Sequence, residues 1–182
     1  MQNITTPLDI NQIKQLKAGD AVTISGIIYT GRDAAHKRMC EAIKNGEQLP
    51  FDVKGQIIYY VGPCPCRDDQ IIGSCGPTTS GRMDAYAPEL IKLGLAGMIG
   101  KGLRNDDVIN AMVEYGSVYF GAIGGAGALI SKHVLKSEVI AYDDLGTEAV
   151  RKLTVKDFPA TVIIDCKGND LYKIGKAIYA QK

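Results

Sequence analysis

Apolar residues along this chain come in short bursts, and glycine closes nearly every one. Ala21 to Tyr29 alternates Val22 and Ile24 and then carries Ile27-Ile28, which predicts a strand broken by Gly31. Asp33 is placed to cap a helix running to about Asn45, where Gly46 stops it. Leu8, Ile10, Ile13 and Leu16 mark a short amphipathic segment ahead of a turn at Lys17 to Asp20. Gln56 to Val61 is a compact β-rich run ended by Gly62-Pro63.

The pattern then lengthens toward helix. Tyr86, Leu90, Ile91 and Leu93 fall at helical spacing across 84–93, and Gly94 closes them. Leu95 to Ile99 reads as a buried strand, and Asn105 or Asp106 caps a helix reaching Tyr115-Gly116. Ser117 to Phe120 predicts a strand entering the glycine loop 121–127, with a short helix, Ala128 to Leu135, after it. Glu138 to Tyr142 and Thr161 to Asp165 read as two further strands, and Asp165 to Asp170 as a hairpin-like turn into Leu171-Tyr172. Strands and helices alternate in the middle and strands dominate the ends, which predicts a mixed α/β fold. No repeat or linker-like stretch divides the chain, so residues 1–182 read as one domain.

Composition narrows the partners. The chain is 46% hydrophobic, enough for a real core, and carries 21 basic against 20 acidic residues. That balance supplies no basic field for nucleic acid or an anionic membrane surface, and with no Trp and 3 Phe there is little to stack bases on. No apolar run reaches the length of a membrane span, and no export signal is recognisable at the N-terminus. Five cysteines, an odd number, then point to reduced thiols and a cytoplasmic protein.

One local pattern recurs three times: apolar strand, glycine, cation, helix start. It occurs at Ile28-Tyr29-Thr30-Gly31-Arg32, at Gly76-Pro77-Thr78-Thr79-Ser80-Gly81-Arg82, and at Met98-Ile99-Gly100-Lys101-Gly102. In an α/β fold, ligands gather at the carboxyl ends of strands, facing helix N-termini. If the three strands are neighbours, Arg32, Arg82 and Lys101 converge on one pocket with the hydroxyls of Thr78, Thr79 and Ser80. Such a set suits a small dicarboxylate, because guanidinium forks match carboxylates with two hydrogen bonds. A phosphate loop fits less well: Arg82 and Met83 stand where Lys and Ser/Thr belong, and Gly121, Gly124, Gly125 and Gly127 miss a clean dinucleotide frame. His36 sits one turn into the first helix, and His133 on a later segment; neither has an evident nucleophile beside it. Cys64, Cys66 and Cys75 form a Cys-x-Cys with a third thiol nine residues on, without a fourth ligand.

The run Gly76 to Asp84 resembles the signature of the class I, iron–sulfur-dependent fumarase and tartrate dehydratase family. It is similar to the C-terminal domain, which in two-subunit members is the separate β subunit. Thr30 to Arg38 and Gly100-Lys101-Gly102 resemble that family's arginine and lysine motifs, and Tyr119 to Leu129 and Asp157 to Ala160 resemble later segments. The resemblance implies a swivelling β/β/α three-layer domain with a mixed sheet, closing over an active site shared with an α subunit in a hetero-oligomer of the α2β2 kind. It implies a [4Fe–4S] cluster ligated by the α subunit, with no metal ligand in this chain. It implies a hydro-lyase, adding water across the C=C bond of fumarate or removing it from a 2-hydroxy dicarboxylate such as tartrate. Carried over by motif, Arg32, Thr78, Thr79, Arg82 and Lys101 bind substrate, and Thr78 and Arg82 are catalytic, with Thr78 at the reacting centre. Two other readings stay open on the residues alone: a non-catalytic dicarboxylate-binding regulatory module, and a metal-binding protein using Cys64, Cys66 and Cys75.

Overall fold

The computed structural model describes residues 2–180. Its strands are β1 (Gln2–Thr5), β2 (Ala21–Thr30), β3 (Ile57–Tyr59), β4 (Gly97–Gly100), β5 (Val118–Gly121), β6 (Val134–Ala141) and β7 (Val150–Ile164). Its α-helices are α1 (Ile10–Gln15), α2 (Asp33–Asn45), α3 (Ala87–Lys92), α4 (Asp106–Tyr115), α5 (Gly127–Ile130) and α6 (Leu171–Tyr179). All seven strands join one mixed sheet in the order β1-β2-β3-β4-β5-β7-β6. β2 to β5 run parallel, whereas β7 runs antiparallel to both β5 and β2. Because β7 pairs with both, β2-β3-β4-β5-β7 close into a ring, which removes the exposed edges of the parallel strands.

β2 serves three partners by bending in the middle. Its first half pairs with β1, its last residues with β3, and its other edge with β7. The register against β7 shifts between Ile24 and Gly26. Gly26 sits at φ +110°, and a Cβ there would stand 2.9 Å from the Thr6 carbonyl oxygen. Only glycine makes that bulge without moving the neighbouring chain.

Alternation along the strands builds two cores. Ile57, Tyr59, Ile99, Val118 and Phe120 point into the ring, where they meet Ile24, Ile28, Leu153, Val155, Phe158 and Val162. Ile58, Tyr60, Met98 and Tyr119 point out of it, toward Met39 of α2, Leu90 of α3 and Met112 of α4. The helix ends follow the expected chemistry. α2 stops at Gly46 at φ 68°, and α4 starts where the Asn105 side chain accepts from the Val108 amide.

Four expectations about the helices need correction. Arg32, not Asp33, holds the cap position of α2, and Asp33 is its first helical residue. The expected helix from 84 to 93 forms only from Ala87 to Lys92, as α3 with Pro88 near its start, and a 3-10 turn, Ser80–Met83, precedes it. The expected helix Ala128 to Leu135 is only α5 and a 3-10 turn, Ser131–His133, before β6 begins at Val134. The turn after Asp165 leads into helix α6 rather than a strand, because the Asp170 carboxylate accepts from the Tyr172 amide and caps it. Among the described residues no helix is long and apolar enough to cross a membrane.

Candidate active-site ledge

Four loops leave the carboxyl ends of β2, β3, β4 and β5 on one side of the parallel sheet. They carry Arg32, the 76–82 turn, Lys101 and the 121–127 loop. The 76–82 turn returns from a long excursion to lie directly on the strand ends. The Thr78 amide donates to the Tyr60 carbonyl at 2.7 Å, and the Ser80 amide to the Lys101 carbonyl at 2.8 Å. The Lys101 amide donates back to the Thr78 carbonyl at 3.3 Å. Residues 78–80 are thus an extra parallel rung beside β4, with Thr79 opposite Lys101. The Thr78 and Ser80 amides are therefore engaged with backbone and do not face the ledge as free donors.

Close backbone approach holds the rim together. The Cys75 amide donates to the Gly127 carbonyl at 3.2 Å, and a Cβ on Gly127 would lie 2.7 Å from the Gly76 nitrogen. Lys101 runs past the same loop, 4.0 Å from where a Gly124 Cβ would sit to its Nζ. The upper surface is open. Thr79, Arg82 and Lys101 are exposed, and Thr78 is half-buried.

The structure brings Arg32 and Arg82 together around one carboxylate. Asp33 Oδ2 pairs with Arg82 Nη2, and Asp33 Oδ1 lies 3.9 Å from Arg32 Nε. Arg32 Nη2 in turn meets Glu148 Oε1 at 3.1 Å, while Glu148 Oε2 accepts from the Ala34 amide at 3.4 Å. Glu148 therefore satisfies the first turn of α2 from a distant segment, as a capping carboxylate would. Neither Glu148 contact was legible in the sequence, because 114 positions or more separate it from its partners and no spacing rule links them. Arg32 Nε remains buried without a hydrogen-bond partner among the described residues. Lys101 has no ion-pair partner among the described residues. It leaves β4 opposite Thr79 of the 78–80 rung.

Behind the ledge lies a buried polar cluster that the motifs did not reveal. Arg104 Nε donates to Asp84 Oδ1 at 2.7 Å, and its guanidinium covers the rings of Tyr60 and Tyr119 at 5.3 and 5.2 Å. Asp84 Oδ2 also accepts from the Asn105 amide at 2.8 Å, so one carboxylate ties the 80–84 turn to the start of α4.

His36 belongs to this interior rather than to the ledge. It is fully buried, its ring meets Tyr60 edge-on, and Nδ1 lies 2.9 Å from the Arg32 carbonyl. A carbonyl only accepts, so Nδ1 carries a proton, and Nε2 is buried without a hydrogen-bond partner among the described residues, as suits a neutral ring. Burial pushes the imidazole down to about 4. The folded value lies below the unfolded one, so the unfolded chain takes the proton first as pH falls. Stability from His36 is complete above pH ~6.5 and is lost toward pH 4, by roughly 3 kcal/mol at most. Denaturant melts at pH 7 and pH 5 are expected to show this loss, and His36→Leu to reduce it. His133 Nδ1 sits 3.0 Å from the Lys156 carbonyl, away from the ledge.

The cysteines do not assemble a metal site. Cys64 and Cys66 are exposed, Cys75 is buried, and among the described residues no three His, Cys, Asp or Glu could hold a metal ion together. Burial pushes the Cys75 thiol up to about 12, which disfavours the thiolate a metal needs.

A family model described as Fumarase C-terminus matches residues 2–175. The aerobic class I fumarate hydratase of Escherichia coli K12 is 40% identical over 164 residues, which cover 89% of this chain and 30% of that protein. Fumarate hydratase 2 of Leishmania major is 40% identical over 163 residues, 88% of this chain and 29% of that protein. The putative L(+)-tartrate dehydratase subunit beta of Methanocaldococcus jannaschii is 38% identical over 186 residues, 98% of this chain and 95% of that protein. The chain thus spans about 30% of the fumarate hydratases and nearly all of the β subunit. It belongs to the fumarase C-terminus family.

Proposed function

We propose that this chain is the β subunit of a [4Fe–4S]-dependent hydro-lyase that hydrates fumarate reversibly to malate or dehydrates tartrate. The carrying observation is the ledge: two arginines, one lysine and Thr78 at the carboxyl ends of adjacent parallel strands. The match across 95% of a protein named as a β subunit supports a separate α subunit for the remainder of the enzyme. The open upper surface is where that partner would close, in a hetero-oligomer of the α2β2 kind and by the swivelling β/β/α movement that the family resemblance implies. Unpaired thiols fit a reducing, cytoplasmic setting.

The residues of this chain do not fit a cluster, so in this reading the α subunit ligates it. What this chain supplies is orientation and charge. Arg82 offers a two-bond fork to one carboxylate, with Thr79 beside it, and Lys101 and Arg32 also serve the diacid. Asp33 occupies the Arg82 guanidinium in the free chain, and an incoming carboxylate takes over that pairing, exchanging like charge for like. Thr78 lies at the reacting carbon. A neutral hydroxyl is a weak base, so it moves the proton only with an activating carboxylate from the partner. When that C–H proton leaves, negative charge spreads onto the adjacent carboxylate, where the cations stabilise it.

Anaerobic co-expression with the α subunit, followed by the C=C absorbance of fumarate or tartrate-derived product, tests this. Turnover by the pair supports it. A loaded pair that converts none of these diacids would exclude it.

A further inference from the structure

Tyr119 of β5 is fully buried, yet its hydroxyl reaches both cation-bearing turns. Oη lies 2.9 Å from Ser80 Oγ and 2.9 Å from the Gly102 carbonyl. A phenol has one proton and a carbonyl only accepts, so Tyr119 donates to Gly102 and Ser80 donates to Tyr119. Ser80 sits in the turn that carries Thr78 and Arg82, and Gly102 directly follows Lys101. One phenol oxygen therefore joins the two halves of the ledge from below.

Three further features keep this junction in place. The Arg104 guanidinium lies over the Tyr119 ring at 5.2 Å, and Asp84 anchors it in turn. A Cβ on Gly100 would collide with Ser80 Oγ, so glycine there is what lets the serine come down to the tyrosine. Burial raises the phenol well above its ordinary range, so the donated proton stays in place throughout the working pH.

We propose that Tyr119 is a positioning residue that sets the distance between the Thr78–Arg82 turn and Lys101, so that both carboxylates of a diacid are met at once. The inference rests on the ledge being the substrate site. Tyr119→Phe keeps the ring, its volume and the Arg104 contact, and removes both hydrogen bonds. In the reconstituted complex it is expected to lower kcat/KM about tenfold or more, as the loss of one or two buried hydrogen bonds would. The diagnostic readout is coupling: Lys101→Ala should lower kcat/KM less in the Tyr119→Phe background than in the wild type, because Lys101 is then no longer held in register. A purely structural tyrosine gives independent, additive losses.

An active wild-type complex in which Tyr119→Phe is equally active, or in which the two losses simply add, overturns the inference. Ser80→Ala breaks one of the two bonds without touching the strand, and serves if Tyr119→Phe fails to fold. If the wild-type complex is itself inactive, the functional reading fails, and amide exchange of the free chain still tests the junction. The Ser80 and Lys101 amides are expected to exchange faster together in Tyr119→Phe by about tenfold; unchanged exchange at both sites overturns it.

Discussion

Arg82→Lys in the assembled enzyme is expected to lower kcat/KM about 100-fold, equivalent to about 3 kcal/mol of transition-state stabilisation. Lysine keeps the positive charge but presents a single point donor in place of a planar fork. At an orienting site the second hydrogen bond fixes the angle of the carboxylate, and with it the distance from the reacting carbon to Thr78. The fold should be unaffected. The Arg82 side chain is 50% exposed, and its pairing with Asp33 is a surface contact worth at most about 1 kcal/mol. Steady-state kinetics beside a thermal melt separates the two effects. Near-normal turnover in Arg82→Lys would remove the arginine from substrate binding.

Arg104→Ala is expected to be the most destabilising single change around the ledge, by about 3–5 kcal/mol. The Arg104 side chain is 0% exposed and that of Asp84 only 11%. Removing the cation leaves Asp84 nearly buried without its partner, and strips the cover from Tyr60 and Tyr119. For a domain of ordinary stability that is a large fraction of the total. Asp84→Asn in the same background should recover part of the loss, since it removes the orphaned charge while retaining an acceptor for the Asn105 amide. Urea denaturation measures both. A loss below about 1 kcal/mol would mean that Asp84 finds solvent instead.

The strand-glycine-cation pattern was legible because it is local. β2, α2, β4, α4 and β5 each carry a clean period and a glycine or an Asn at the right end, and the three cations follow from where those strands stop. Long-range pairing was not legible. β7 was expected only over Thr161 to Asp165, yet it runs from Val150, because two edges with different partners break its alternation and Pro159 interrupts the run. β1 carries a single buried side chain among four residues, too weak a signal to register. The same limit hid the site's electrostatics. Asp33 read as a helix cap and proved to be the carboxylate shared by two arginines, while Glu148 and Arg104 act through partners far away or without any motif.

With Asp33 on Arg82 and Glu148 on Arg32, two of the three ledge cations are paired in the free chain, and Lys101 has no ion-pair partner among the described residues. In the proposed function, a diacid that binds here displaces one internal carboxylate. Salt should weaken diacid binding more than it weakens the fold, because Arg82 and Lys101 are exposed while the structural pair Arg104–Asp84 is not.

The most direct test is anaerobic assembly of this chain with the proposed α subunit, with fumarate, malate and tartrate offered to the pair and to each chain alone. The expected result is reversible hydration or dehydration of a diacid by the pair, with neither chain active alone. Turnover by this chain in isolation, or none by an assembled pair carrying an intact cluster, would contradict the shared site.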